Sequence, residues 1–280
     1  MQTIHCIRLN EMLQRFTWKL CLIVTLCAAC PFARDSHGAN IVGKAETSRT
    51  FRDQAIREIP FNGLTPEAQQ RIAAVVTKPS MFRRMPVSVI NCEPKLHQFL
   101  LRNPEVVINI WQLMGITKVT ADRTGAYTLN AADGAGTTSS VELVYGTNDT
   151  HLFFCEGEYD GPLFKKPVQG RCVLLLKTGH RQLDDGDYSI TNRMDVFLQL
   201  DHRGMDAITK TLHPLLGKSA DINFTETMKF VERISSSAQN NGPGMERLAS
   251  RLDKVQPPIR DTFSKHAMRI YTTQRTSTLK

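Results

Sequence analysis

The sequence lacks the motifs that most directly indicate an enzymatic activity. It contains no GxSxG nucleophile motif, no Walker A loop, no GxGxxG at a strand–helix turn and no HExxH motif. The sequence also contains no CxxC motif and no Cys/His spacing of the kind that is typical of a zinc site. None of the reaction classes that these motifs define is indicated, and we predict no cofactor, no metal ligand and no catalytic residue.

Long apolar runs are also scarce. The longest, LCLIVTLCAACPFA at residues 20–33, has 14 residues, whereas a membrane-spanning helix needs about 20. Basic residues precede this run and small residues follow it, which is the pattern of a secretory signal. We therefore expect residues 1–39 to be a signal peptide and the protein to be exported, to the periplasm or out of the cell. A buried apolar helix is the alternative, and Met12 is a more usual start for such a signal than Met1.

Few cysteines remain after this leader. Four of the seven lie within it, and the rest of the chain keeps Cys92, Cys155 and Cys172. Cys155 and Cys172 both fall in strand-like runs and could form a disulfide in an oxidising compartment. Three buried free thiols are an equally acceptable interpretation.

Composition and charge are those of a globular protein with one basic end. The chain is 41% hydrophobic and 22% charged, with a formal net charge of +8. Residues 241–280 hold eight Lys/Arg against three acids. We expect this segment to be a basic tail that could touch an acidic membrane surface, or else a solvated chain end. Specific nucleic-acid binding is not indicated.

The first half of the chain predicts an arm followed by a strand and two helices. Residues 40–83 are weakly patterned, except for a short helix at 65–76 with a Thr cap and Pro at its first position. Residues 84–92 alternate as a half-buried strand does. Two amphipathic segments follow, KLHQFLLRN and PEVVINIWQLMG, each beginning after a capping signal.

The second half predicts an antiparallel sheet and then a long helix. Turn-rich separators such as AADGAG and LDDGD divide it into short strand-like runs, which favours a meander. The predicted strands are 116–130, 138–146, 150–159, 168–178 and 188–201, and the predicted helix is 205–237.

This order of elements resembles the helix-grip fold of the START/polyketide-cyclase/pollen-allergen superfamily (SRPBCC). The similarity covers about residues 84–237 and includes MDVFLQLDHRGMDAITKTLHPLLGK, in which a last strand runs into the long helix. It implies an α+β fold in which a curved antiparallel sheet wraps around a long C-terminal helix, with two helices after the first strand. Residues 84–240 would then form the domain, and 241–280 would follow it.

The resemblance also implies a deep apolar cavity between the sheet and the long helix. The leading hypothesis is an exported, non-catalytic protein that binds a hydrophobic or amphipathic small molecule, such as a lipid, in this cavity. Polar residues four apart on the helix could hold a ligand's head group, although they could also face solvent. The expected ligand-binding residues are Trp111, Val141, Leu143, Phe153, Tyr159, Leu174, Phe197, Leu216, Asn223, Thr227 and Phe230.

One strand offers an alternative. In LFFCEGEYDG the alternation puts Glu156, Glu158 and Asp160 on one face. Such a row is usually a solvated strand face, but with His151 it could serve a cyclase- or hydrolase-like enzyme of the same fold. An envelope structural or interaction protein without a ligand is the third hypothesis.

Overall fold

The computed structural model describes residues 40–162, 166–184, 186–201 and 213–278. The predicted signal peptide, residues 1–39, and the first part of the predicted long helix, 205–212, lie outside the described residues. No helix in the described ranges is both long and apolar enough to cross a membrane.

Nine strands and seven helices are found in the described residues. The strands are β1 Asn40–Val42, β2 Met81–Arg84, β3 Val87–Asn91, β4 Thr120–Arg123, β5 Thr128–Ala132, β6 Thr137–Gly146, β7 Thr150–Tyr159, β8 Val168–Gln182 and β9 Tyr188–Leu200. The helices are α1 Arg49–Arg57, α2 Pro66–Thr77, α3 Pro94–Arg102, α4 Pro104–Leu113, α5 His213–Asn240, α6 Gly242–Ser250 and α7 Pro257–Thr278.

The strands form one curved antiparallel sheet in the order β1-β3-β9-β8-β7-β6-β5-β4, with β2 also pairing with β9. The prediction of an α+β fold with a large antiparallel sheet and C-terminal helices is therefore confirmed. Strand β2 was not predicted, and Pro86, which lacks an N–H for the ladder, separates it from β3, which matches the predicted strand 84–92. The predicted strand 116–130 is divided in two. A turn closed by a hydrogen bond from Thr124 N to Thr128 O separates β4 from β5.

Local signals place the helices as the sequence predicts. The Thr65 hydroxyl accepts a hydrogen bond from Ala68 N at 3.3 Å, and α2 begins at the next residue, Pro66. Helix α4 likewise begins at Pro104. The side chain of Asn103, however, donates to the Phe99 carbonyl at 2.8 Å and so completes the end of α3.

The central strands carry apolar side chains on both faces, and helices cover both faces of the sheet. On one face, called here the arm face, Leu152, Phe154, Val173, Leu175 and Phe197 pack with α1, α2 and Phe82. On the other, called the inner face, the strands pack with α3, α4, α5, α6 and α7 in a second core. The sheet is therefore the middle layer of three.

Residues 40–83, expected as an arm, are part of the packed structure. Ala55, Ile72 and Val75 of α1 and α2 are buried in the arm-face core. The buried Arg84 guanidinium donates to the Asp195 carboxylate at 2.6 and 3.0 Å, which ties β2 to β9. Burial of Asp195 raises its pKa, against the opposing effect of Arg84.

The segment expected as a basic tail after residue 240 is folded instead. Helices α6 and α7 contribute Met245, Phe263 and Ile270 to the inner-face core, and the turn between them contributes Leu252. Helix α7 was not predicted. It begins at Pro257, a first-turn position where no N–H partner is needed. The basic side chains lie on the outer side of these helices, where Arg247, Arg251 and Lys265 are exposed.

Helix α5 is the long helix of the prediction, with 28 residues. It packs against β3, α3, α6 and α7. Arg83 of β2 forms a bidentate ion pair with its Asp221, with Nε to Oδ1 at 2.7 Å. The Glu232 carboxylate accepts a hydrogen bond from Asn91 N at 2.8 Å. The helix is thus anchored to the β2–β3 side of the sheet.

The three described cysteines, Cys92, Cys155 and Cys172, are buried. Cys155 and Cys172 lie opposite each other on β7 and β8, so the two candidate partners are indeed neighbours. Burial raises the pKa of the Cys92 and Cys155 thiols to about 12, which keeps them protonated and unreactive at neutral pH.

Candidate functional site

The inner face of the sheet carries two adjacent apolar rows across its central strands. Leu143, Phe153, Leu174 and Val196 lie opposite one another on β6 to β9, and Val141, Cys155, Cys172 and Leu198 form the next row. Side chains directly opposite on neighbouring strands are about 5 Å apart at Cβ. These rows therefore form a continuous apolar surface.

Part of this surface is not sealed by the helices. Leu143, Phe153 and Leu174 are only half-buried, although they lie on central strands of a covered sheet. In the neighbouring rows Val141, Met194 and Leu198 are half-buried as well. Residues on central strands of a two-sided core are normally fully buried, as Val173 and Leu175 are on the arm face. The inner face thus keeps a partly exposed apolar surface in the middle of the sheet, which we call the apolar cleft.

Four of the predicted ligand-binding residues, Val141, Leu143, Phe153 and Leu174, belong to this surface. Val141, Phe153, Leu174 and Phe230 pack against the same core as the fully buried Trp111. The rings of Trp111, on α4, and Phe230, on α5, are 5.2 Å apart and tilted by 48°. Helices α4 and α5 therefore meet through an aromatic pair in the inner-face core to which the cleft residues belong.

Two predicted residues are placed elsewhere, and the side chain of a third is not described. Phe197 is fully buried on the arm face, where its ring lies 5.0 Å from that of Phe82. Tyr159 is buried at the far end of β7, opposite Thr137 and Val168. The side chain of Leu216 lies outside the described residues. The alternation of β9 predicts that Phe197 is buried but does not say on which face.

The two polar residues of the long helix have different environments. Asn223 is buried, whereas Thr227 is half-buried and its hydroxyl donates to the Asn223 carbonyl at 2.7 Å. This bond to the preceding turn gives the hydroxyl a partner within the helix. Asn223 therefore meets the expectation of an inward-facing polar group better than Thr227 does.

A cluster of buried polar side chains lies next to the apolar cleft and was not anticipated. Ser88, Asn192 and Thr178 are directly opposite one another on β3, β9 and β8, on the inner face. His97 of α3 is close to Asn192, and His151 of β7 lies in the neighbouring row. All five are at least nine-tenths buried. We call these five residues the polar cluster.

Several atoms of the polar cluster lack hydrogen-bond partners among the described residues. They are Ser88 Oγ, His151 Nδ1 and Thr178 Oγ1. His97 and the Asn192 side chain are close enough to interact with each other and have no further side-chain partner among the described residues. Buried polar atoms are nearly always paired, and each unpaired one costs about 1–3 kcal/mol. The sequence signal was present, since the inward positions of β8 and β9 read Leu174, Leu176, Thr178 and Ile190, Asn192, Met194.

Both histidines of the cluster are uncharged at neutral pH. Burial lowers the pKa of His97 to about 4, against an opposing effect of the Asn192 side chain. Burial and the Arg102 guanidinium lower the pKa of His151 to about 4. Arg102 Nε donates to His151 Nε2 at 3.2 Å, so this nitrogen accepts and the proton lies on Nδ1.

The acidic row of the predicted enzyme lies on the other side of the sheet. Glu156 and Glu158 are exposed on the arm face, beyond the edge of α2, in an open polar trough of about 1070 Å³. Glu156 accepts a hydrogen bond from the exposed Arg171 at 2.8 Å. His151 points to the inner face, so these groups do not converge. Among the described residues, no group of three or more His, Cys, Asp or Glu side chains could hold a metal ion.

No protein-family model matches the chain, and no curated protein matches it significantly.

Proposed function

We propose that the protein is an exported, non-catalytic binding protein with a variant of the helix-grip fold. Its ligand is a hydrophobic or amphipathic small molecule, such as a lipid, held between the inner face of the sheet and helix α5. Compared with the grip fold that the resemblance implies, two more helices, α6 and α7, share the core. The exposed basic residues of these helices are the proposed contact with an acidic membrane surface.

The half-buried apolar cleft on the central strands is the observation that carries this proposal. Phe153 and Leu174 could each bury additional area against a ligand. At about 25 cal/mol per Å², burial of about 300 Å² of apolar surface would contribute about 7 kcal/mol before the costs of association. Taken alone, 7 kcal/mol would correspond to a Kd of about 10 μM, and the costs of association make the expected affinity weaker than this.

The same geometry disfavours the enzyme alternative in its predicted form. A general acid or base must lie within hydrogen-bond reach of the group it serves. Glu156 and Glu158 are separated from His151 by the sheet itself. A cyclase- or hydrolase-like reaction would therefore need a different set of residues.

The test is to fill the cleft and measure ligand binding. In a Trp18→Phe background Trp111 is the remaining tryptophan of the two, and its fluorescence should be quenched by a bromine-labelled dodecanol. Val141→Phe adds volume to the half-buried β6 position and should weaken binding at least tenfold, since the added ring occupies the ligand's space. The melting temperature of the protein without probe should stay close to that of the parent.

The matched control is Ser140→Phe. Ser140 precedes Val141 on β6, is exposed, and points to the arm face. The Ser140→Phe substitution should leave the affinity for the probe unchanged. If the parent protein shows no saturable quenching, or if both substitutions weaken binding equally, the proposed binding site is wrong.

A further inference from the structure

The polar cluster has a definite position relative to the apolar cleft. Along β8 the inward residues run from Leu174, in the cleft, through Leu176 to Thr178 in the cluster. Four residues of a strand span about 13 Å. The inner face therefore changes from apolar to polar over a distance comparable to that of an extended lipid chain.

The atoms without partners in the cluster belong to groups that can both donate and accept. The Asn192 amide and the hydroxyls of Ser88 and Thr178 provide donors and acceptors from three neighbouring strands. A pair of apolar residues at such positions would cost less, so these unpaired groups need an explanation other than folding. A polar group that enters from the cleft would provide the missing partners.

The electrostatics of the cluster indicate the charge of that group. A buried carboxylate or phosphate requires a cation that it can pair with. The Arg102 guanidinium is already hydrogen-bonded to His151 Nε2 and to the Thr147 carbonyl, at 3.2 and 3.0 Å. The two imidazoles of the cluster carry no charge at neutral pH. The environment therefore favours a neutral head group over an anionic one.

We propose that the polar cluster binds the uncharged, hydrogen-bonding head group of the ligand, a hydroxyl or a carboxamide, while the apolar chain occupies the cleft. This inference rests on the proposed function, because it assigns the second half of the same site. It names Asn192 and Thr178, on adjacent strands, as the residues that determine which head group is accepted.

The experiment compares three probes with the same chain length. Binding of 1-dodecanol, 1-chlorododecane and dodecanoate is measured by calorimetry, or by displacement of the bromine-labelled dodecanol, at about pH 7.5. We expect 1-dodecanol to bind at least tenfold more tightly than either of the others, since it alone has an uncharged head group that can donate a hydrogen bond. In Thr178→Val and Asn192→Leu, the preference for the alcohol over the chloride should fall to about twofold, with the affinity for the chloride unchanged.

Thr191→Val is the matched control. Thr191 precedes Asn192 on β9, is exposed, and points away from the inner face. It should keep the full preference for the alcohol. A preference that survives both cluster substitutions, or tighter binding of dodecanoate than of 1-dodecanol, would overturn the inference.

The outcomes separate the two proposals. If none of the three probes binds to the parent protein, both the cleft and the head-group site are refuted. If all three bind with equal affinity, and Val141→Phe abolishes binding, the cleft is supported and the head-group site is refuted. In that case the cluster holds only buried water.

Discussion

Acidification should destabilise this protein through His97 and His151. Both are buried and both have a pKa of about 4 in the folded chain, compared with 6.5 for an unperturbed histidine. The unfolded state therefore binds more protons than the folded state as the pH falls below 6.5, and stability is lost from there down to about pH 4. Above pH 7 the two histidines make no such contribution.

The size of the effect follows from these pKa values. Between about pH 7.5 and pH 5, one histidine with this shift costs about 2 kcal/mol, and the pair about 4 kcal/mol. This is a large part of the roughly 5–15 kcal/mol that stabilises a typical domain. The raised pKa of Asp195 acts in the opposite direction, so the comparison must be made between variants.

Urea denaturation of the parent protein and of His97→Gln at both pH values isolates one histidine. The variant lacks the titrating group and should lose about 2 kcal/mol less on acidification than the parent. Gln98→Ala is the control on the same helix, since it removes hydrogen bonds to Thr147 and Asn148 but no titrating group. If the free energies of His97→Gln and of the parent fall in parallel between the two pH values, the assignment of a buried neutral His97 is wrong.

Two further predictions concern the sheet, and urea denaturation measures both. Arg84→Met should lower the free energy of unfolding by about 3 kcal/mol, because it leaves the fully buried Asp195 carboxylate without its main partner. The control, Arg171→Ala, breaks an exposed pair and should lower it by less than about 1 kcal/mol. Equal losses in the two variants would contradict this prediction. Gly157→Ala should cost about 1–3 kcal/mol because the added Cβ would lie 2.2 Å from a carbonyl oxygen of β6. Gly179→Ala, on β8, places its Cβ in open space and should be neutral or slightly stabilising; a loss as large as that of Gly157→Ala would refute the steric argument.

Much of the local structure could be predicted from the sequence, because short-range signals determine it. The bounds of β7, 150–159, agree with the pattern of apolar residues between turns, and Thr65 caps α2 as its spacing to Ala68 requires. The predicted fold class also depends on such signals, since turn-rich separators between short strands favour antiparallel neighbours.

The candidate site was also predictable from the sequence only in part. The alternation of β7 was enough to predict that Phe153 and Cys155 share one face, because side chains on a strand repeat with period two. That Val141 and Leu174 lie on the same face follows only from the strand register. Alternation could not show which face Phe197 joins, since β9 is apolar on both of its faces and the arm covers one of them.

By itself, then, the sequence determined most of the elements between residues 65 and 201, their order and the alternation of the individual strands, because these depend on residues close together in the chain. Only the tertiary structure decided that the arm and the basic C-terminal segment are folded into two cores. It also brought Ser88, His97 and Asn192 together from three separate elements. Strand register and helix packing depend on contacts between distant segments, and no local pattern of residues encodes these.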